Sequence, residues 1–164
     1  MLAVQSNLAM TYEALGRLEE ALHVRRDVHS ACLKLFGEHQ HTLLATNNYA
    51  LSLIDLKRFE EAKSLLRKSM PVARRVLGDN VETTLRMRWY YASVLCRDAD
   101  ATLDDLRESV ETLAEMERNA GRVFGAAHPL VATIARCLRN SRAALDARET
   151  SCTCVPVPPP PCRV

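Results

Sequence analysis

Apolar residues recur three and four apart along most of this chain. Between 43 and 56 they are Leu43, Leu44, Tyr49, Ala50, Leu53, Ile54 and Leu56. After Lys57-Arg58 the pattern resumes as Phe59, Ala62, Leu65, Leu66, Met70, Ala73, Val76 and Leu77. That spacing lines one face of a 3.6-residue helix. The stretch therefore predicts two helices joined by a short turn, a helical hairpin of about 40 residues.

The hairpin occurs more than once. Asn7-Leu8-Ala9 through Glu19-Glu20-Ala21 returns, 41 residues later, as Asn48-Tyr49-Ala50 through Glu60-Glu61-Ala62. Leu35-Phe36-Gly37 returns at the same offset as Val76-Leu77-Gly78, and Thr42 as Thr83. A fixed period in this range is the signature of a solenoid of stacked supersecondary units. Small residues mark where helices approach closely: Ala9, Ala50 and, with a one-residue slip, Ala92 share one site, and Ala21 and Ala62 another. A larger side chain there would force the helices apart, at a cost on the order of 1–3 kcal/mol.

This Ala–turn–Glu-Glu-Ala arrangement resembles the tetratricopeptide repeat. The longer period, the Asn-x-Ala start and the Leu-Gly ending are similar to the variant found in kinesin light chains. The linker of that variant is best matched by Gly125-Ala126-Ala127-His128-Pro129. The expected fold is all-α, a right-handed superhelical solenoid of antiparallel hairpins with a terminal capping helix. The repeat domain spans 1–148, with units at about 1–37, 42–78 and 83–125 and a capping helix over 128–148.

The third unit departs from the other two. Tyr91-Ala92-Ser93-Val94-Leu95 keeps its first helix, but the Glu-Glu-Ala signal has become Leu103-Asp104-Asp105-Leu106. Gly125 comes 47 residues after Gly78, so the second helix of this hairpin is expected to be longer. Pro129 suits the first turn of the closing helix. Leu130, Ile134, Leu138 and Leu145 can cover the end of the stack. Asp79-x-x-Glu82 has the form of a capping box ahead of unit three. Pro71 falls within a helical pattern and predicts a bend there, because it removes one hydrogen bond and crowds the preceding turn.

Composition narrows the function class. The chain has 164 residues, nearly half apolar, only 5% aromatic, with a net charge of +2, which gives no overall drive toward nucleic acid. Charge is uneven: Lys57, Arg58, Lys63, Arg67, Lys68, Arg74 and Arg75 lie in unit two. Asp98, Asp100, Asp104, Asp105, Glu108, Glu111, Glu115 and Glu117 lie in unit three. Opposite charges of this kind can help neighbouring units stack or form an electrostatic partner patch. No stretch reaches the ~20 apolar residues of a membrane span, and no leader is evident, so a cytoplasmic location is expected.

Cys32, Cys96 and Cys137 read as small thiols within helices. The tail, 149–164, is expected to be disordered and carries Cys152-x-Cys154 and Cys162. These have no nearby His and lack the spacing of a structural zinc site, so neither metal nor cofactor is expected. Its proline run favours polyproline II, and Pro158-x-x-Pro161-x-Arg163 fits a ligand pattern of SH3 domains, making an SH3-type partner the candidate for this segment. Met1 aligns with Thr42, where a first helix starts. The expectation is a fragment of a longer array, or an end covered by self-association.

No converging polar set suggests catalysis: His23, His29, His39, His41 and His128 are scattered, and no phosphate loop, nucleophile elbow or His-Glu-x-x-His occurs. His39-x-His41 stands where the family has its His-Pro segment, and turn packing is the expected role. The resemblance implies instead a non-catalytic interaction scaffold, with a partner's peptide or helix along a concave groove lined by the first helix of each hairpin. It assigns Ser6, Asn7, Met10 and Glu13 from unit one, and Leu44, Asn47, Asn48, Leu51 and Asp55 from unit two. Unit three gives Arg86, Trp89, Tyr90, Ser93 and Arg97. The resemblance also implies that Asn7 and Asn48 hydrogen-bond a peptide backbone, since an amide offers both donor and acceptor. The alternatives are that asparagines bridge within the stack and that Trp89 is core. The runner-up function is a structural element stacking end to end through its N-terminal repeat.

Overall fold

A computed structural model describes residues 2–125 and 127–153. Among them run seven α-helices. α1 (Leu2–Ala14) and α2 (Leu18–Phe36) form the first hairpin, α3 (Gln40–Asp55) and α4 (Phe59–Leu77) the second, and α5 (Glu82–Arg97) and α6 (Leu103–Phe124) the third. α7 (Pro129–Thr153) follows. Each helix packs on the next, and α5 also packs on α3 and on α7, which is the expected solenoid of antiparallel hairpins. α6 has 22 residues against 19 in α2 and α4, as the insertion in unit three requires. α7 runs to Thr153, beyond the expected boundary at 148. Cys154, Cys162 and the proline run lie outside the described residues.

The same local geometry builds the first two hairpins. Gly16 and Lys57, at repeat-equivalent positions, both adopt left-handed backbone, with φ of 74° and 59°. The amide of Gly16 donates to the Glu13 carbonyl (3.0 Å) and that of Arg17 to the Tyr12 carbonyl (2.9 Å). Lys57 and Arg58 repeat this pair on Ile54 and Leu53, at 3.0 and 2.8 Å. This crossed pair ends α1 and α3 in a Schellman turn. Unit two forms it with a lysine, which carries a Cβ into a region that glycine enters without strain.

Close packing follows the small residues. Ala9, Ala50 and Ala92 on the inner helices, with Ala21 and Ala62 on the outer ones, have no solvent exposure. The main core joins Leu53, Leu66, Met87, Val94 and Leu95 of the second and third hairpins. A second core places Leu85, Leu113, Met116, Ile134 and Leu138 between α5, α6 and α7. Val28, Cys32 and Ala45 form a smaller cluster where α2 meets α3.

Charged groups connect units two and three. Lys63 Nζ meets Asp105 Oδ1 at 2.8 Å. The Tyr91 hydroxyl accepts from Arg67 (2.9 Å) and donates to Glu108 (3.0 Å). The uneven charge therefore stitches neighbouring repeats together, in line with the stacking expectation.

One local expectation is corrected. Asp79 does not cap α5: the N-cap is Val81 without a side-chain bond, and Asp79 pairs with Arg74 at 3.0 Å. The capping box stands instead on α6, where Thr102 accepts from the Asp105 amide and Asp105 accepts from the Thr102 amide. Pro71 does not break α4: the helix runs through it, with the ring on an exposed position and Ala73 still in the core.

The Lys63 ammonium, helped by the Thr102 hydroxyl and amide, holds the Asp105 carboxyl down at about 2 despite partial burial. A depressed folded-state value stabilises the fold above the unfolded value and is lost as pH falls toward 2. The contribution at neutral pH is about 2 kcal/mol. Asp105→Asn should therefore lower the denaturation midpoint at pH 7 and flatten the loss of stability between about pH 5 and 2, read from urea unfolding across pH. An unchanged acid limb would show that this pair contributes nothing.

Candidate functional site

The inner helices present one exposed stripe each. On α1 it runs through Ala3, Asn7 and Met10; on α3 through His41, Leu44, Asn48 and Asp55; on α5 through Glu82, Arg86 and Arg97. Spacing of three and four keeps these side chains on one helix face. On α3 and α5 the opposite faces are buried in the stack, whereas on α1 the one buried residue among those described is Ala9.

The inner helices are not evenly spaced. α5 packs on both α3 and α7, but among the described residues no Cα of α1 comes within 8 Å of a Cα of α3. α1 is held by α2, and at its C-terminal end by one buried ion pair. Arg25 of α2, almost fully buried, donates through Nε and Nη2 to the two oxygens of Glu13 at 2.7 and 2.6 Å. Ser52 of α3 donates to the same carboxylate at 3.1 Å. Burial would raise the Glu13 carboxyl, but the Arg25 guanidinium and the Ser52 hydroxyl leave it below its ordinary value. Asp55 lies in the same field: burial and the Glu13 carboxylate raise it, against Arg97 and Arg25.

At the other end of α1 the gap is an apolar cleft of about 470 Å³, with Leu2, Val28, Cys32 and Ala45 among its walls. Leu44 and Asn48 lie on it and also on a second cavity of about 260 Å³, shared with Asn47, Glu82, Arg86 and Tyr90. Glu82 and Arg86 continue into a third, of about 390 Å³, lined by Trp89, His128 and Leu130. The three form one track across the N-terminal ends of α1, α3, α5 and α7.

The expected groove residues divide on this track. Asn48 lines the first two cavities and Asn7 none of the three. Both are exposed, and their side-chain amides form no hydrogen bond among the described residues. Asn47 bridges within the stack and also lines the second cavity. It is 6% exposed, and its Nδ2 donates to the Thr83 carbonyl at 3.1 Å, tying the second hairpin to the start of the third. Its Oδ1, beside the second cavity, has no partner among the described residues. Tyr90 is likewise mostly core; burial raises its phenol, opposed by Arg86. Trp89 is half-buried between the two large cores, its indole N–H donating to Cys137 Sγ at 3.1 Å, with one side on the third cavity. Arg86 is exposed and paired with Glu82 at 2.7 Å. Met10, Leu51 and Arg97 stand off the track: Met10 is exposed, Leu51 packs beside the main core, and Arg97 lies over the Phe59 ring at 5.8 Å.

The linkers carry a device that the sequence showed only as a family segment. His39 is the N-cap of α3, its Nδ1 accepting from the His41 amide at 3.2 Å. His128 does the same for the Leu130 amide at 3.2 Å ahead of α7. Each imidazole packs on the phenylalanine that ends the preceding helix, Phe36 and Phe124. The signal was legible as Phe-Gly followed by His, and Val81 in the intervening linker makes no such cap.

Residues 1–41 and 42–80 match the tetratricopeptide repeat family. The first two hairpins are tetratricopeptide repeats. No curated protein matches it in sequence. Among solved structures, the repeat domain is similar to a protein of Podosopora anserina described as a kinesin light chain with nearly identical TPR-like repeats. The TM-score is 0.78 at 19% identity, covering 92% of this chain and 69% of that one. It is also similar to BtubC (BKLC) of P. vanneervenii, with a TM-score of 0.55 at 16% identity, covering 99% of this chain and 68% of that one. At these identities the likeness concerns the fold. No helix among the described residues is long and apolar enough to cross a membrane.

The two adjacent asparagines give a stability test. Asn47→Ala strands the Thr83 carbonyl and should cost about 1–2 kcal/mol. Asn48→Ala should stay within about 0.5 kcal/mol, as exposed substitutions do. Thermal unfolding of the two variants side by side checks both; equal losses would mean that Asn48 is also part of the stack.

Proposed function

We propose that this repeat protein is a non-catalytic binding module that holds an extended segment of a partner protein along the inner track. Tetratricopeptide repeats generally mediate protein–protein interaction, and what supports a site here is the continuity of the three cavities through shared residues. The track is long and open, which suits a strand of peptide better than a compact small molecule. Asn7 and Asn48, with free amides on neighbouring inner helices, can each offer a donor and an acceptor to a peptide backbone. The cleft between α1 and α3 can take an apolar side chain, and the Glu82–Arg86 pair can take a polar or charged one.

A peptide selected from a random display library against the protein supplies the probe. Each neutral hydrogen bond contributes roughly 0.5–1.5 kcal/mol net, so Asn7→Ala with Asn48→Ala should weaken its binding by about fivefold to a hundredfold. The melting temperature should hardly change. Unaltered affinity for the double variant would remove the asparagines from the site.

A further inference from the structure

The second cavity, between α3 and α5, has a buried acceptor without a donor in its wall. Asn47 is 6% exposed, and its Nδ2 is already engaged by the Thr83 carbonyl at 3.1 Å. Its Oδ1 is buried and accepts no hydrogen bond among the described residues. Buried acceptors are ordinarily paired, because leaving one unmade costs more than a made bond contributes. Among the described residues the other such atom is Thr84 Oγ1, and Thr84 lines none of the three cavities of the track. Asn47 alone stands beside a space that a ligand can fill.

The rest of that wall is chemically selective. Asn48 brings a free side-chain amide, and Leu44 an apolar surface. Arg86 donates through Nε and Nη2 to one oxygen of Glu82, at 3.0 and 2.7 Å. It also lies close enough to the Tyr90 phenol to oppose the effect of burial on it. Glu82 and Arg86 are the ionised side chains lining the cavity, and their charges cancel.

These groups sort the side chains that a partner can present. A carboxylate would set an oxygen against Asn47 Oδ1 with no proton between them. An ammonium or guanidinium would meet Arg86, and an aliphatic side chain would leave Asn47 unpaired. A primary carboxamide satisfies every requirement. Its N–H donates to Asn47 Oδ1, its oxygen accepts from Asn48 or Arg86, and its methylene stem can lie on Leu44. Asn48 is exposed, level with a partner's backbone, whereas Asn47 lies deeper, so a side chain is what reaches it. Resting on the binding-module reading above, we propose that the second cavity is a subsite for a glutamine or asparagine side chain of the partner segment. Asn47 and Arg86 determine its specificity.

Peptides selected from a random display library should carry Gln or Asn at one fixed position. In a synthetic peptide of the selected sequence, exchanging that carboxamide for the carboxylate of equal length should weaken binding at least about tenfold. A site built to hydrogen-bond a group strongly rejects an analogue that lacks it. Asn47→Ala should cut this amide-over-carboxylate preference to below about threefold, a ratio that a loss of stability alone leaves unchanged. Arg86→Glu, an exposed change that should not alter the circular dichroism, should select Lys or Arg at the same position, because two carboxylates then line the cavity. Selected peptides with no common carboxamide position, a preference unaffected by Asn47→Ala, or an Arg86→Glu selection identical to the wild type would each overturn the subsite and leave the binding module standing. Failure to select any peptide would overturn both.

Discussion

Five alanine methyl groups, at Ala9, Ala21, Ala50, Ala62 and Ala92, fix how closely the helices of this array approach, and none has any exposed surface. At such a contact a methyl is the largest group that fits, because interiors pack near crystalline density. The close approach allows inner and outer helices to interdigitate, so larger residues such as Leu53, Leu66 and Leu95 reach the shared core. Each unit then buries its apolar face on the next, and the stack rather than any single hairpin carries the stability. The third hairpin places Leu106 where α2 and α4 have alanine, within a longer outer helix.

The inner track is a consequence of where this packing is incomplete. α3, α5 and α7 are drawn together by the two large cores, whereas α1 is held by α2 and by the Glu13–Arg25–Ser52 contact at one end. The apolar cleft opens at the opposite end of α1, over the small Val28, Cys32 and Ala45 cluster. A buried arginine paired on both nitrogens is costly to break, so this hinge-like attachment is firm while the rest of the helix stays lightly held.

Much of the fold was legible from the chain because it rests on local, repeated features. The alanines, the Glu-Glu pairs after each turn and the glycine at the end of α2 and α4 each mark one place in the hairpin. The site was legible only to the level of a helix face. Asn47 and Asn48 are the same residue type, and a rotation of about 100° between neighbours sends one into the stack and leaves the other in solvent. Asp79-x-x-Glu82 had the form of a capping box, but Arg74 at the end of α4 claims Asp79 first. The Thr102–Asp105 box is hidden in the sequence because Asp104-Asp105 stand where the other units carry Glu-Glu. The cleft beside α1 depends on the distance between two helices, which no spacing along the chain encodes.

Hydrogen–deuterium exchange, resolved by helix, tests most directly that an inner helix left partly detached forms one wall of the binding track. The account predicts that α1 amides exchange through low-energy opening while α3, α4 and α5 reach the protection of global unfolding. It further predicts that a library-selected peptide raises protection in α1 and at the start of α3. Protection of α1 equal to that of α5 in the free protein, or peptide-induced protection confined to α2, α4 and α6, would contradict it.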